Sequence, residues 1–125
     1  MRPGSDAKDV SLAVHDGVPF VSYIEKNASA AVTVKKFEAG IWTMVGEAAA
    51  TSADYTSLVV RDGAPLVAFS ENALGGRLTV MRYETGAWTA VGPRGFSPGL
   101  VSNPCLAVNR GVLYTAFTDH LNMAA

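Results

Sequence analysis

The apolar positions of this chain fall into short alternating runs, and the runs themselves recur. In residues 19–25, Phe20, Ser22 and Ile24 alternate with Val21 and Tyr23, and both sets are apolar or small. Successive side chains of a strand point to opposite faces, so this pattern predicts a strand covered on both sides. The pattern returns as Leu66, Ala68 and Ser70 against Val67 and Phe69, and again as Tyr114, Ala116 and Thr118 against Thr115 and Phe117. Further runs predict strands at 12–15, 31–38 and 42–45, with the last two recurring at 78–84 and 88–91. Asp16-Gly17, Ala39-Gly40, Asp62-Gly63 and Thr85-Gly86 supply tight hairpin turns, because Gly tolerates positive φ. In the third copy, Asn109-Arg110-Gly111 keeps the Gly and moves the Asn one position earlier. No segment holds a helical period, so the predicted class is all-β.

These runs make a repeat that stops in mid-unit. Ser11-Leu12-Ala13-Val14-His15-Asp16-Gly17 returns 46 residues later as Ser57-Leu58-Val59-Val60-Arg61-Asp62-Gly63, and 48 residues after that as Cys105-Leu106-Ala107-Val108-Asn109-Arg110-Gly111. The outer half of the unit, ending in Trp42-Thr43-Met44-Val45-Gly46, recurs only once, as Trp88-Thr89-Ala90-Val91-Gly92. A period of this size marks propellers or solenoids, whose units cannot bury their apolar faces alone. The expected organisation is an N-terminal link (1–10), a first repeat (11–56), a second (57–104), the inner hairpin of a third (105–119) and a tail (120–125). The connections 46–56 and 92–104 suit a chain that returns from the rim of one propeller blade to the axis of the next. The predicted architecture is a partial β-propeller of four-stranded antiparallel blades, about 2.5 per chain.

Asp16-Gly17-Val18-Pro19-Phe20-Val21-Ser22-Tyr23, Asp62-Gly63-Ala64-Pro65-Leu66-Val67-Ala68-Phe69 and the two Trp-x-x-Val-Gly stretches resemble a family of bacterial β-propeller repeats. The resemblance covers nearly the whole chain and implies the propeller fold. It implies no single function, since propellers host binding proteins, scaffolds and enzymes alike. Two departures stand out: Ala48-Ala49-Ala50 replaces the Gly-Phe-Ser of the second link, and the third unit has no outer hairpin.

Ten strands are too few for a closed ring of about 4 to 8 four-stranded blades. An open arc exposes apolar faces and a strand edge, which invites association. The expectation is a homo-oligomer, with a dimer favoured, because two chains supply the strand count of five blades. Each chain ends on an inner hairpin, so the half-blades are expected to meet edge to edge about a twofold axis. The competing expectation is that the chain is a piece of a longer gene product.

At 49% apolar and 17% charged residues the composition is globular. The net charge is −1 and Lys35-Lys36 is the only basic pair, so no nucleic-acid footprint is expected. No apolar run approaches the ~20 residues of a membrane span, and residues 1–6 lack the apolar core of a signal peptide. The expectation is a soluble chain of open cellular location.

Candidate chemistry is sparse. Glu25 and Glu71 close the second strands of their repeats and Asp119 holds that place in the third; they read as a carboxylate ring for a cation or hydroxyl groups, or as polar strand ends, which is preferred. Retaining glycosidases need carboxyls about 5 Å apart, closer than residues one blade apart normally lie. Trp42 and Trp88 read as sugar-stacking platforms or, preferably, as packing between blades. His15-Asp16 aligns with Arg61-Asp62 and Asn109-Arg110, which marks polar turn positions rather than a catalytic pair, and adjacent strand residues point to opposite faces. His120 has no evident partner in the sequence. Cys105 replaces Ser11 and Ser57 and reads as a small strand-entry residue, and no metal or cofactor motif appears. The expected function is a non-catalytic, self-assembling binding or interaction module with a protein or carbohydrate ligand. The alternatives are a lectin-like carbohydrate-binding propeller and a fragment of a larger propeller enzyme.

Overall fold

Tight turns and alternating runs give ten strands among the residues described by the computed structural model, 6–120. Residues 1–5 of the expected link and 121–125 of the expected tail lie outside them. Strands β1 (Ala7–His15), β2 (Val18–Glu25), β3 (Val32–Glu38) and β4 (Ile41–Met44) form one antiparallel sheet in sequence order. Strands β5 (Ala53–Arg61), β6 (Ala64–Glu71), β7 (Arg77–Glu84) and β8 (Ala87–Ala90) form the second. Strands β9 (Val101–Asn109) and β10 (Val112–Asp119) form a two-stranded third. The class is all-β, and the two four-stranded sheets (blades one and two) and the two-stranded one (the half-blade) follow one another as the blades of a partial propeller would. The innermost strands β1, β5 and β9 follow one another in contact.

The five hairpins with two-residue connections turn through two residues at positive φ, the signature of the type I′ turn whose twist matches that of the strands. Arg110 (φ 52°) fills the position held by Asp16 and Asp62, so the displaced Asn109 stays in the strand.

The innermost strands begin five residues earlier than the alternation predicts, in all three copies, because each carries a bulge. Register shifts between Lys8 and Ser11, and again between Asp54 and Ser57, leave two residues opposite one. The third copy does the same at Asn103-Pro104, opposite Phe117. The extra residue is left-handed each time: Asp9 (φ 55°), Tyr55 (φ 62°) and Asn103 (φ 50°). A bulge shifts the face of every residue before it, which hides the strand from a test of alternation.

One apolar core lies between the first two blades and a second between blade two and the half-blade. The first joins Phe20, Ile24, Val32 and Val34 to Leu58, Val67, Phe69 and Met81. The second joins Leu66, Ala68, Leu78 and Val80 to Val101, with Leu106, Leu113 and Phe117 packed against it. Only β6 is buried on both faces along nearly its whole length; β2 is buried on one, and β10 is half-covered on one. The same sequence pattern thus has three burial patterns, set by the number of neighbouring sheets.

The second half of the junction is a ring on a glycine. A Cβ on Gly46 (φ 67°) would lie 2.5 Å from Tyr83 Cε1, whereas one on its repeat partner Gly92 (φ 75°) meets nothing within 4 Å. Both substitutions incur the left-handed penalty of about 1–2 kcal/mol, and only the first adds an overpacking cost of about 1–3 kcal/mol. Gly46→Ala is therefore expected to lose roughly 2 kcal/mol more stability than Gly92→Ala in urea titrations; equal losses would contradict the packing described.

Candidate functional site

The bulges and strand ends build a polar rim where each inner strand begins. Backbone bonds repeat there without change: Lys26 N–H to Asp6 O, Asn72 N–H to Ser52 O and His120 N–H to Leu100 O, all 2.9 Å. The turned-out peptide at Asp9 serves the next blade. Its carboxylate accepts the Tyr55 N–H at 3.0 Å, and its carbonyl accepts the Thr56 hydroxyl. Lys8 Nζ meets Asp54 Oδ1 at 2.7 Å across the same junction. The hydrogen bond to Asp54 raises the Lys8 pKa above the ordinary 10.5, against the smaller downward pull of burial. A raised lysine value contributes stability that is complete below 10.5 and disappears as pH climbs through the folded-state value; for so exposed a pair it amounts to under ~1 kcal/mol.

Of the three carboxylates at the ends of the second strands, Glu25 and Glu71 are each tied to a threonine of their own blade. Glu25 accepts Thr33 Oγ1–H at 3.0 Å, and Glu71 accepts Thr79 Oγ1–H at 2.9 Å. Glu71 is buried and also accepts both Nε–H, at 3.2 Å, and NH2 of Arg94. Arg94 comes from the longer second link, whose Gly95 N–H bonds Thr79 Oγ1 at 2.9 Å. The extra residues of that link therefore bring a counter-ion to a buried acid. Asp119 ends β10, the edge strand of the half-blade. Among the described residues no group of three or more His, Cys, Asp or Glu side chains is placed to hold a metal ion.

The two tryptophans have unequal surroundings. Trp88 packs against the first core, tilts over Tyr83 at 5.3 Å between centroids and donates Nε1–H to Val45 O of the preceding blade at 3.0 Å. Trp42 makes the equivalent tilted pair with Phe37 at 5.2 Å, but on the open face of blade one, where both rings are exposed.

Both histidines have polar neighbours, although the sequence pattern points His15 and Asp16 to opposite faces and offers His120 no partner. His15 Nε2 lies 3.4 Å from Asp16 Oδ2, because the positive φ of Asp16 turns that residue out of the strand and removes the opposite-face rule. Ser102 Oγ and His120 Nε2 lie 2.9 Å apart. The repeat explains this second pair: Asn72 Nδ2 meets Asp54 Oδ2 at 3.3 Å at the equivalent positions, so it is a strand-end tie. Alignment of the bulged strands would have found it.

At the hairpin end, the junction of blades one and two opens into a cleft of about 340 Å³ lined by Phe20, Lys36, Val45, Asp62, Tyr83 and Glu84. Its charges are mixed in sign, and Lys36 is engaged with Glu38 at 3.1 Å. The arrangement suits contact with a polar surface better than concentration of one ion.

No protein-family model matches this chain, and no curated protein matches its sequence.

Trp88→Phe removes a hydrogen bond to a backbone carbonyl and is expected to cost about 1 kcal/mol, while Trp42→Phe stays within about 0.5 kcal/mol. Arg94→Met leaves the buried Glu71 carboxylate without its cation and is expected to cost about 2 kcal/mol. Thermal or urea unfolding of the three variants checks both statements; equal effects of the two tryptophan changes would refute the first.

Proposed function

We propose that the chain is a non-catalytic, propeller-type interaction module that works through the exposed faces of its terminal sheets and assembles with itself. One comparison supports the reading. Leu12 on the open face of blade one is 65% exposed, whereas its equivalent Leu58 at the internal junction is 4% exposed. On the half-blade, Tyr114 is 56% exposed, whereas its equivalents Phe20 and Leu66 are 7% and 0% exposed. The end faces thus carry side chains that this fold buries wherever a neighbouring sheet is present, and apolar patches of this kind mark interaction sites.

Blade one adds Val10 and Val14 beside Leu12, and Phe37, Trp42 and Met44 further out. Lys35 lies 5.7 Å from the Tyr23 ring centroid on the same face. The carbohydrate-binding reading rests on Trp42. Its repeat partner Trp88 serves as an inter-blade anchor, which favours protein docking for Trp42 as well.

Sedimentation at several concentrations tests the proposal. The wild-type chain is expected to associate, and Leu12→Asp to remain monomeric with an unchanged β circular-dichroism spectrum, because an exposed side chain contributes little to folding of the single chain. A wild-type chain that stays monomeric at all concentrations would refute self-assembly.

A further inference from the structure

The junctions inside the chain have a direction, and that direction specifies how a second copy attaches. At the first junction the Leu58 N–H donates to Ser11 Oγ at 3.0 Å. At the second the Leu106 N–H donates to Ser57 Oγ at 2.9 Å. Each blade therefore presents a hydroxyl from its back face, and the following blade supplies the N–H one residue beyond its own copy of that serine. The chain ends this series with Cys105, exposed on the back of the half-blade, and begins it with Leu12 on the front of blade one. The donor side and the acceptor side are different surfaces.

We infer that a second copy docks head to tail, with the front of its blade one on the back of the half-blade, so that its Leu12 N–H meets Cys105 Sγ. This rests on the self-assembly proposed above and specifies its geometry. The surfaces correspond position by position to the internal junctions. Cys105, Ala107, Tyr114 and Ala116 stand where Ser11, Ala13, Phe20 and Ser22 stand on the back of blade one. Val10, Leu12 and Val14 stand where Thr56, Leu58 and Val60 stand on the front of blade two. Edge-to-edge pairing of two β10 strands would leave Val10, Leu12 and Val14 uncovered, whereas head-to-tail docking covers both faces and continues an interface the chain already makes twice.

The strand count acquires a different meaning under this arrangement. Three inner hairpins per chain give a two-copy ring six blade positions, within the propeller range of about 4 to 8. Such a contact is heterologous, and it closes when its rotation brings the second copy back to the first.

The test uses the full chain and its single native cysteine. Leu12→Cys places a second thiol beside Cys105 of the neighbouring copy, so a short bis-maleimide is expected to give a covalent dimer. Wild type and the double variant Leu12→Cys/Cys105→Ser are expected to give none. Sulfur is the weaker acceptor, so Cys105→Ser alone is expected to tighten the dimer by roughly two- to tenfold in sedimentation equilibrium. A monomeric wild type would remove both this inference and the self-assembly on which it rests. A dimer that cross-links through Cys105 in the wild type, or resists cross-linking in Leu12→Cys, would overturn the head-to-tail geometry and leave self-assembly standing. An unchanged or weaker dimer for Cys105→Ser would also count against it.

Discussion

Contact between successive inner strands, β1 on β5 and β5 on β9, is the constraint on which the other features depend. A sheet with apolar residues on both faces needs a neighbour on each side, and short four-residue outer strands such as β4 and β8 add little core of their own. The first core draws its large side chains from both sides of one junction, so neither blade holds it alone. Removing the junction would expose Phe20 and Phe69 together. The turns, the links and the bulges are arranged around keeping that contact in register.

The bulges show how register is kept. A flat inner strand would offer the next blade only side chains, whereas the left-handed residue at Asp9 turns a carbonyl and a carboxylate outward together. Blade two uses both, and Lys8 adds a charge pair to Asp54 beside them. The serine to N–H bond two residues further on completes a polar seam alongside the apolar one. Hydrophobic contact alone is non-directional. The seam supplies the direction, which allows the front and back of a blade to be told apart.

Much of the fold was legible in the sequence, and the illegible parts have specific causes. The Asp-Gly turns and the alternation around Phe20, Leu66 and Tyr114 were enough for the hairpins, their order and the all-β class. The early portions of β1, β5 and β9 were hidden because an extra residue without glycine breaks the alternation: Tyr55 is a bulky residue at φ 62°. The inward role of Trp88 was readable as a packing preference, but its difference from Trp42 depends on position in the stack, which repeat-equivalent residues cannot encode. The Glu71–Arg94 pair was equally hidden, since 23 residues and an irregular link separate the partners. Alignment of the copies identified the carboxylate positions but not the cation that Glu71 receives.

Unequal cover of three similar hairpins also gives the chain an uneven resistance to opening. Strand β6 is enclosed on both faces, while β2 and β10 each have one face in contact with a neighbour. In a stack of units coupled mainly to their nearest neighbours, a central unit gains two interfaces and a terminal unit one. Loss of order therefore begins at the outer sheets and reaches the middle one last. The repeat makes the units nearly alike in composition, and their place in the sequence makes them different in persistence: β6 and its partners form the slow-exchanging centre, flanked by hairpins that open on shorter timescales.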